Sequence, residues 1–179
     1  MNVSGASQLL GGAVDVAALQ GRIGMLPGEM ARWHDGGVRP YSYGNTQAGV
    51  ENPEIYRRKY GFGLFAAGYE GAMDFAYQSG AGFAWNGFDD GQYRDHMFTY
   101  PTSNGQLVST IEWEGYREGV DDVRYLSTLM ALDHSRTREQ IRSWLKEVMA
   151  THSDLDAVRE IVVGEILRLR RENHGDSVR

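Results

Sequence analysis

The spacing of apolar positions changes several times along this chain. Apolar runs at 9–10 and 13–19 are broken by Gly11 and Gly12, and Val14-Asp15-Val16 reads as a short buried strand. Pro27-Gly28 marks a turn, residues 29–34 read as a short helix, and Gly36-Gly37 end it. Residues 38–43 read as a second strand. Asn52 then suits a helix cap, with Pro53 at the first helical position. The stretch 55–78 reads as a helix whose apolar and aromatic residues, among them Tyr56, Tyr60, Phe65, Tyr69 and Phe75, cover more than one stripe. Such a helix is buried on several sides. Gly61, Gly63, Gly68 and Gly71 would each cost about 1 kcal/mol against Ala in an exposed helix interior. They fit a helix that packs tightly on a neighbour or is broken in its middle. Residues 82–88 read as a third strand, centred on Phe83-Ala84-Trp85-Asn86, with a polar loop after it.

Ser109 and Glu112 match the S-x-x-E capping box. The helix that follows is expected to pause at Gly119 and resume to Leu132. Residues 138–150 place Ile141, Leu145 and Val148 at helical spacing, and residues 154–171 do the same with Leu155, Val158, Val162 and Ile166. Both helices are amphipathic and are expected to pack on the body of the protein. The alternation of strands and helices predicts an α/β fold with parallel strands. Three strands are too few to cover so many apolar helix faces, so the chain reads as part of a larger sheet or barrel. Two regions follow from this pattern: a partial β/α unit at 1–133 and a helical extension at 134–179.

Charge divides the same way. The 179 residues carry a net charge of -6, but residues 1–133 hold nine basic and sixteen acidic side chains, against nine and eight in residues 134–179. No basic patch of the kind that neutralises phosphates is visible, so no nucleic-acid partner is expected. Cysteine is absent, which excludes disulfides and thiolate metal sites. No apolar run approaches a membrane span. Residues 1–16 have no basic segment before an apolar run, so no signal peptide is read here and localisation stays open.

The polar residues nearest the ends of the expected strands are the candidate chemistry. In parallel α/β folds the carboxyl ends of strands carry the site. Tyr43 and Asn45 end the second strand, and Trp85 and Asn86 end the third. Aromatic faces beside amides and carboxylates suit a sugar ring, which presents apolar C–H faces and many hydroxyls; buried Tyr and Trp equally serve as core residues with one satisfied polar tip. Asp89-Asp90 and Glu112 with Glu114 are the carboxylates available for acid–base work. Glu112 also suits helix capping. Arg117 with Asp121 or Asp122 is expected to form a structural ion pair, locking the turn if Gly119 breaks the helix. The five histidines lie far apart, so no metal site is expected. No phosphate loop or G-x-S-x-G element occurs, and no cofactor is read from the sequence.

The segment Tyr100-Pro101, Gly105, Ser109-Thr110-Ile111-Glu112-Trp113-Glu114 and Arg117-Glu118-Gly119-Val120-Asp121-Asp122, with Tyr125-Leu126, resembles the closing part of glycoside hydrolase family 123-like catalytic domains. The likeness extends over about residues 12–133, with Tyr43, Asn45, Pro53, Tyr56-Arg57 and Gly71 in the preceding strand–helix unit. It implies the last three β/α units of a TIM-type (β/α)8 barrel, followed by a helical extension. The family removes N-acetylgalactosamine from glycan ends with retention, using the substrate's own acetamido group as nucleophile. An adjacent Asp-Glu pair orients that group, and it lies earlier in the barrel than the segment matched here. The family is often secreted or periplasmic.

Glu112 stands where many relatives have Arg, and neither Asp89-Asp90 nor Asp121-Asp122 is the Asp-Glu pair. The resemblance therefore implies binding residues, Tyr43, Asn45, Trp85 and Asn86, without the acid–base machinery. It leaves a structural ion network of Glu112, Arg117, Asp121 and Asp122. The expected partner is a carbohydrate, with either a missing N-terminal barrel half or a second copy of the chain completing the sheet. Two other readings stay open: a non-catalytic glycan-binding or structural module, and an interaction domain that assembles through a free sheet edge and the two terminal helices.

Overall fold

A computed structural model describes residues 6–10, 12–20, 28–43, 52–80, 82–89 and 95–175. Its elements in order are α1 (Ala6–Leu10), β1 (Val16–Gln20), α2 (Glu29–Asp35), β2 (Arg39–Tyr43), α3 (Pro53–Tyr60), α4 (Phe62–Ala66) and β3 (Gly71–Met73). Then follow β4 (Gln78–Ser79), β5 (His96–Met97), β6 (Thr99–Pro101), β7 (Leu107–Ser109), α5 (Ile111–Leu132), α6 (Arg138–Thr151) and α7 (Leu155–Gly175). The chain is mixed α/β, as its alternation predicts. β1, β2 and β3 form one parallel sheet in sequential order, and two antiparallel pairs, β4–β5 and β6–β7, follow.

The parallel sheet is covered on one face. Leu19, Ser42 and Ala72 stand side by side in the register. Leu19 packs with Trp33 of α2, Val38, Leu64 of α4 and Tyr69 beneath the sheet. The other face carries Val16, Ala18, Tyr41, Tyr43 and Met73, all half-buried or exposed. Side chains alternate between faces along a strand, so this division follows from the register alone. Gly71 leaves room on the open face for the Tyr41 ring, which lies across it: a Cβ there would stand 2.7 Å from that ring. Parallel sheets ordinarily have both faces covered. Here the outer edges of β1 and β3 also lack a partner strand among the described residues.

Several boundaries differ from those the sequence suggests. The helix expected over 55–78 ends at Ala66. Gly61 breaks it into α3 and α4 where the chain crosses α5, because a Cβ on Gly61 would lie 2.6 Å from the Arg57 carbonyl and 3.0 Å from Gly119 Cα. Gly119 conversely does not interrupt α5, which runs unbroken over 22 residues. Its glycine serves the crossing rather than a pause. The α5 cap is Thr110, whose Oγ1 accepts from Trp113 N and donates to Phe98 O, while Ser109 is the last residue of β7. The first strand starts at Val16 rather than Val14. Residues 83–86 are not a strand: Asn86 N donates to Phe83 O at 2.8 Å, closing a turn, and Asp89 Oδ2 accepts from Phe83 N at 2.8 Å. The third parallel strand is instead Gly71–Met73.

The second core joins α4, α5, α6 and α7. Phe62, Leu126, Leu129, Ile141, Leu145, Val158 and Val162 are all essentially sealed from solvent within it. The two C-terminal helices thus bury their apolar stripes against α4 and α5, as their periodicity predicts. A third, aromatic cluster of Tyr56, Tyr60 and Phe98, with Trp113 and Tyr116 against it, fills the space between α3, α5 and the β6–β7 pair.

Candidate functional site

The carboxyl ends of β2 and β3 lie side by side, with Tyr43 opposite Met73 in the register. The next residue, Asp74, is where the polar chemistry gathers. Its Oδ2 accepts a hydrogen bond from the Tyr60 hydroxyl at the end of α3. Lys59 Nζ donates to the same hydroxyl oxygen at 3.2 Å. Asp74 Oδ1 is buried and accepts no hydrogen bond. His96 of β5 stands edge-on to Phe75, with ring centroids 5.5 Å apart.

Burial governs the charges of this cluster. It raises the Tyr60 phenol, and the bond to Asp74 raises it further, so Tyr60 stays protonated and donating. Burial lowers Lys59 against the opposing pull of Asp74, and lowers His96 against Asp74 and Asp95. Asp74 lies in the stretch that reads as helix, and Tyr60 reaches it from fourteen residues upstream. Only the β3 strand end, hidden in that stretch, would have signalled it.

The segment after β3 exposes aromatic rings. Phe75, Tyr77, Phe83, Trp85 and Phe88 are each between 46% and 69% exposed, and a concentration of exposed apolar surface marks an interaction site. Trp85 is the best fixed of them. It stacks on Tyr100 with centroids 4.8 Å apart and planes 17° apart, and its Nε1–H donates to the Pro101 carbonyl at 2.8 Å. Tyr77 stands edge-on to Trp113.

The residues expected from sequence divide accordingly. Tyr43 and Trp85 are exposed or half-buried, Tyr43 at a strand end and Trp85 in the turn beyond β3. Asn86 is exposed, and its Oδ1 accepts from Phe88 N at 3.3 Å, a local turn contact. Asn45 and Asp90 lie outside the described residues. Asp89 is tied to Phe83 N as described above and shapes the loop. Glu112 is buried in the first turn of α5, where its charge meets the positive end of the helix.

The ion network expected among Glu112, Arg117, Asp121 and Asp122 is rearranged. Because α5 is continuous, Arg117 and Asp121 stay on its surface. Arg117 pairs with Glu114, and Asp121 with Arg124 at 3.1 Å. Asp122 points inward, where it binds Arg57 and Arg159. Among the described residues no three metal-ligating side chains come together, and no helix is long and apolar enough to cross a membrane. No protein-family model, curated protein or solved structure matches the chain.

Proposed function

We propose that this chain forms the closing portion of a glycoside-hydrolase-like TIM-type barrel and supplies part of the wall of its carbohydrate site. The observation that carries the reading is the one-sided parallel sheet. Its strands follow one another in order, helices cover one face, and the open face ends at Tyr43 and Met73, with Asp74 next in the chain. Barrel strands have this arrangement, with inward side chains on the open face and ligands at the carboxyl end. The Trp85 ring, fixed against Tyr100 and Pro101, suits the apolar face of a sugar. The activity implied is retaining removal of N-acetyl-β-galactosaminyl groups by substrate assistance. No adjacent Asp-Glu pair occurs in this sequence, so the chain alone is expected to bind sugar without hydrolysing it.

Calorimetric titration with N-acetylgalactosamine tests the reading. Measurable binding that Trp85→Ala removes supports it. Robust turnover of an aryl N-acetyl-β-galactosaminide by the isolated chain would overturn the claim that its catalytic pair is missing.

A second reading is a non-catalytic module that assembles through the sheet edge. It is favoured by the outer edge of β1, where Val16 and the preceding Val14 are exposed. A monomer at all concentrations by light scattering would remove self-pairing at that edge.

A further inference from the structure

We propose that Asp74 is the hydrogen-bond acceptor through which this site grips a sugar hydroxyl. The assignment rests on the carbohydrate reading above and adds to it the residue that contacts the ligand. Its basis is the division of labour between the two carboxylate oxygens. Oδ2 is held by the Tyr60 hydroxyl, which is itself held by Lys59 Nζ at 3.2 Å. Oδ1 is buried without a donor. A charged oxygen withdrawn from water and left unpaired is costly, and a ligand hydroxyl donating to it removes that cost. Asp74 as a residue is only half-buried, so its carboxylate lies just below the surface.

The surroundings select the kind of donor. Lys59 already sets a positive charge beside the Tyr60 hydroxyl, and Asp74 belongs to no cluster of metal-ligating side chains among the described residues. A neutral hydroxyl therefore suits Oδ1 better than a cation. Phe75 follows directly and is half exposed, held edge-on by His96. An acceptor with an aromatic ring next to it matches a sugar, which offers hydroxyl donors and C–H faces on the same ring. Tyr60 is a positioning residue: its hydroxyl holds Asp74 Oδ2 in place.

The test is calorimetry of the full chain, and of its Asp74→Asn and Trp85→Ala variants, against N-acetylgalactosamine and its singly deoxygenated analogues. Asp74→Asn is expected to weaken binding of the parent sugar about tenfold, the loss of one hydrogen bond to a charged group. One deoxy analogue should bind the wild type about tenfold more weakly than the parent, and should bind Asp74→Asn as well as the parent does. Equal affinity in wild type and Asp74→Asn overturns the assignment, as does a loss in that variant that is the same for every analogue. Failure of the folded wild type to bind any of the sugars overturns both the carbohydrate reading and Asp74's role. Binding that Trp85→Ala removes and Asp74→Asn leaves intact overturns the Asp74 assignment alone. Should Asp74→Asn not fold, Tyr60→Phe keeps the carboxylate and removes its anchor. A selective loss toward the same analogue then supports the assignment, and unchanged affinity overturns it.

Discussion

Arg57 of α3 and Asp122 of α5 stand sixty-five residues apart in sequence and meet through a 2.9 Å hydrogen bond from Nε to Oδ2. Asp122 is fully buried, and its Oδ1 accepts from Arg159 Nε of α7 at 2.6 Å. One carboxylate therefore ties three helices together, with Asp156 and Glu118 completing the charge balance on the two arginines. Burial pushes the Asp122 carboxyl up, and the two guanidinium groups pull it back. Removing one member of such a set leaves buried charge uncompensated, at a cost of about 3–5 kcal/mol. Asp122→Ala should lose stability on that scale in urea unfolding. Arg117→Ala, which breaks only a surface pair, should stay within about 0.5 kcal/mol of the wild type. A loss below about 1 kcal/mol for Asp122→Ala would show that the network does not hold the helices.

The crossing of α3 and α5 depends on small residues against backbone. A Cβ on Gly115 would stand 2.1 Å from the Pro53 carbonyl oxygen, and one on Gly119 would stand 2.9 Å from the Arg57 carbonyl oxygen. Backbone cannot swing aside as a side chain can. Gly115→Ala is expected to cost about 1–3 kcal/mol by overpacking, although Ala is the better helix former. Gly164 in α7 is the contrasting position, since nothing lies within 4 Å of its added Cβ. Gly164→Ala should stabilise the chain by up to about 1 kcal/mol. Thermal unfolding of the two variants checks both signs, and a stabilised Gly115→Ala would show that the helices do not approach this closely.

The start of α5 offers a test that separates two neighbouring residues. Thr110 Oγ1 caps Trp113 N at 3.2 Å and also donates to Phe98 O at 2.9 Å, and Thr110 is buried. Ser109 ends β7 and is exposed. Thr110→Ala should cost about 1–2 kcal/mol, and Ser109→Ala should change little. The reverse order would restore the S-x-x-E cap suggested by sequence.

What the sequence made legible was periodicity over long spans. α6 and α7 appear close to where their apolar spacing places them, and Asn52 caps α3 with Pro53 following it. Hidden from sequence was anything set by a partner far along the chain. β3 is only three residues long and contains no β-branched residue, so nothing in it signals a strand; Gly71 is there because the Tyr41 ring needs the room. Phe83-Ala84-Trp85-Asn86 is apolar and aromatic enough to read as a strand but pairs with no strand among the described residues, and Asp89 folds it into a turn. The same limit applied to the site. Tyr43 was readable as an aromatic at a strand end, whereas Trp85 was read at the end of a strand that is in fact a turn. Asp74 was not readable, because its significance comes from Tyr60 and from a strand end that local pattern cannot reveal.

The turn between α5 and α6 is built on Asp133, and its stability should depend on acid. Asp133 Oδ1 accepts from Ser135 N at 2.9 Å, Ser135 Oγ at 2.7 Å and Arg136 N at 3.1 Å, and Oδ2 accepts from Arg136 Nε. Arg136 reaches on to Glu165 of α7 at 2.7 Å. Burial alone would raise this carboxyl, but the hydrogen bonds from Ser135 and Arg136 outweigh it and hold the group at about 2. In the unfolded chain the same carboxyl titrates near ~3.9. The folded value is the lower one, so the ionised group stabilises the fold above ~3.9, and that stabilisation fades as pH falls toward about 2. The full difference corresponds to about 2–3 kcal/mol. Asp133→Asn should therefore be less stable than the wild type near neutral pH, and the gap should close by about 2 kcal/mol between about pH 5 and about pH 2. Urea unfolding of both proteins across that range measures the gap directly. A gap that stays constant with pH would mean that Asp133 works through its shape and not through its charge.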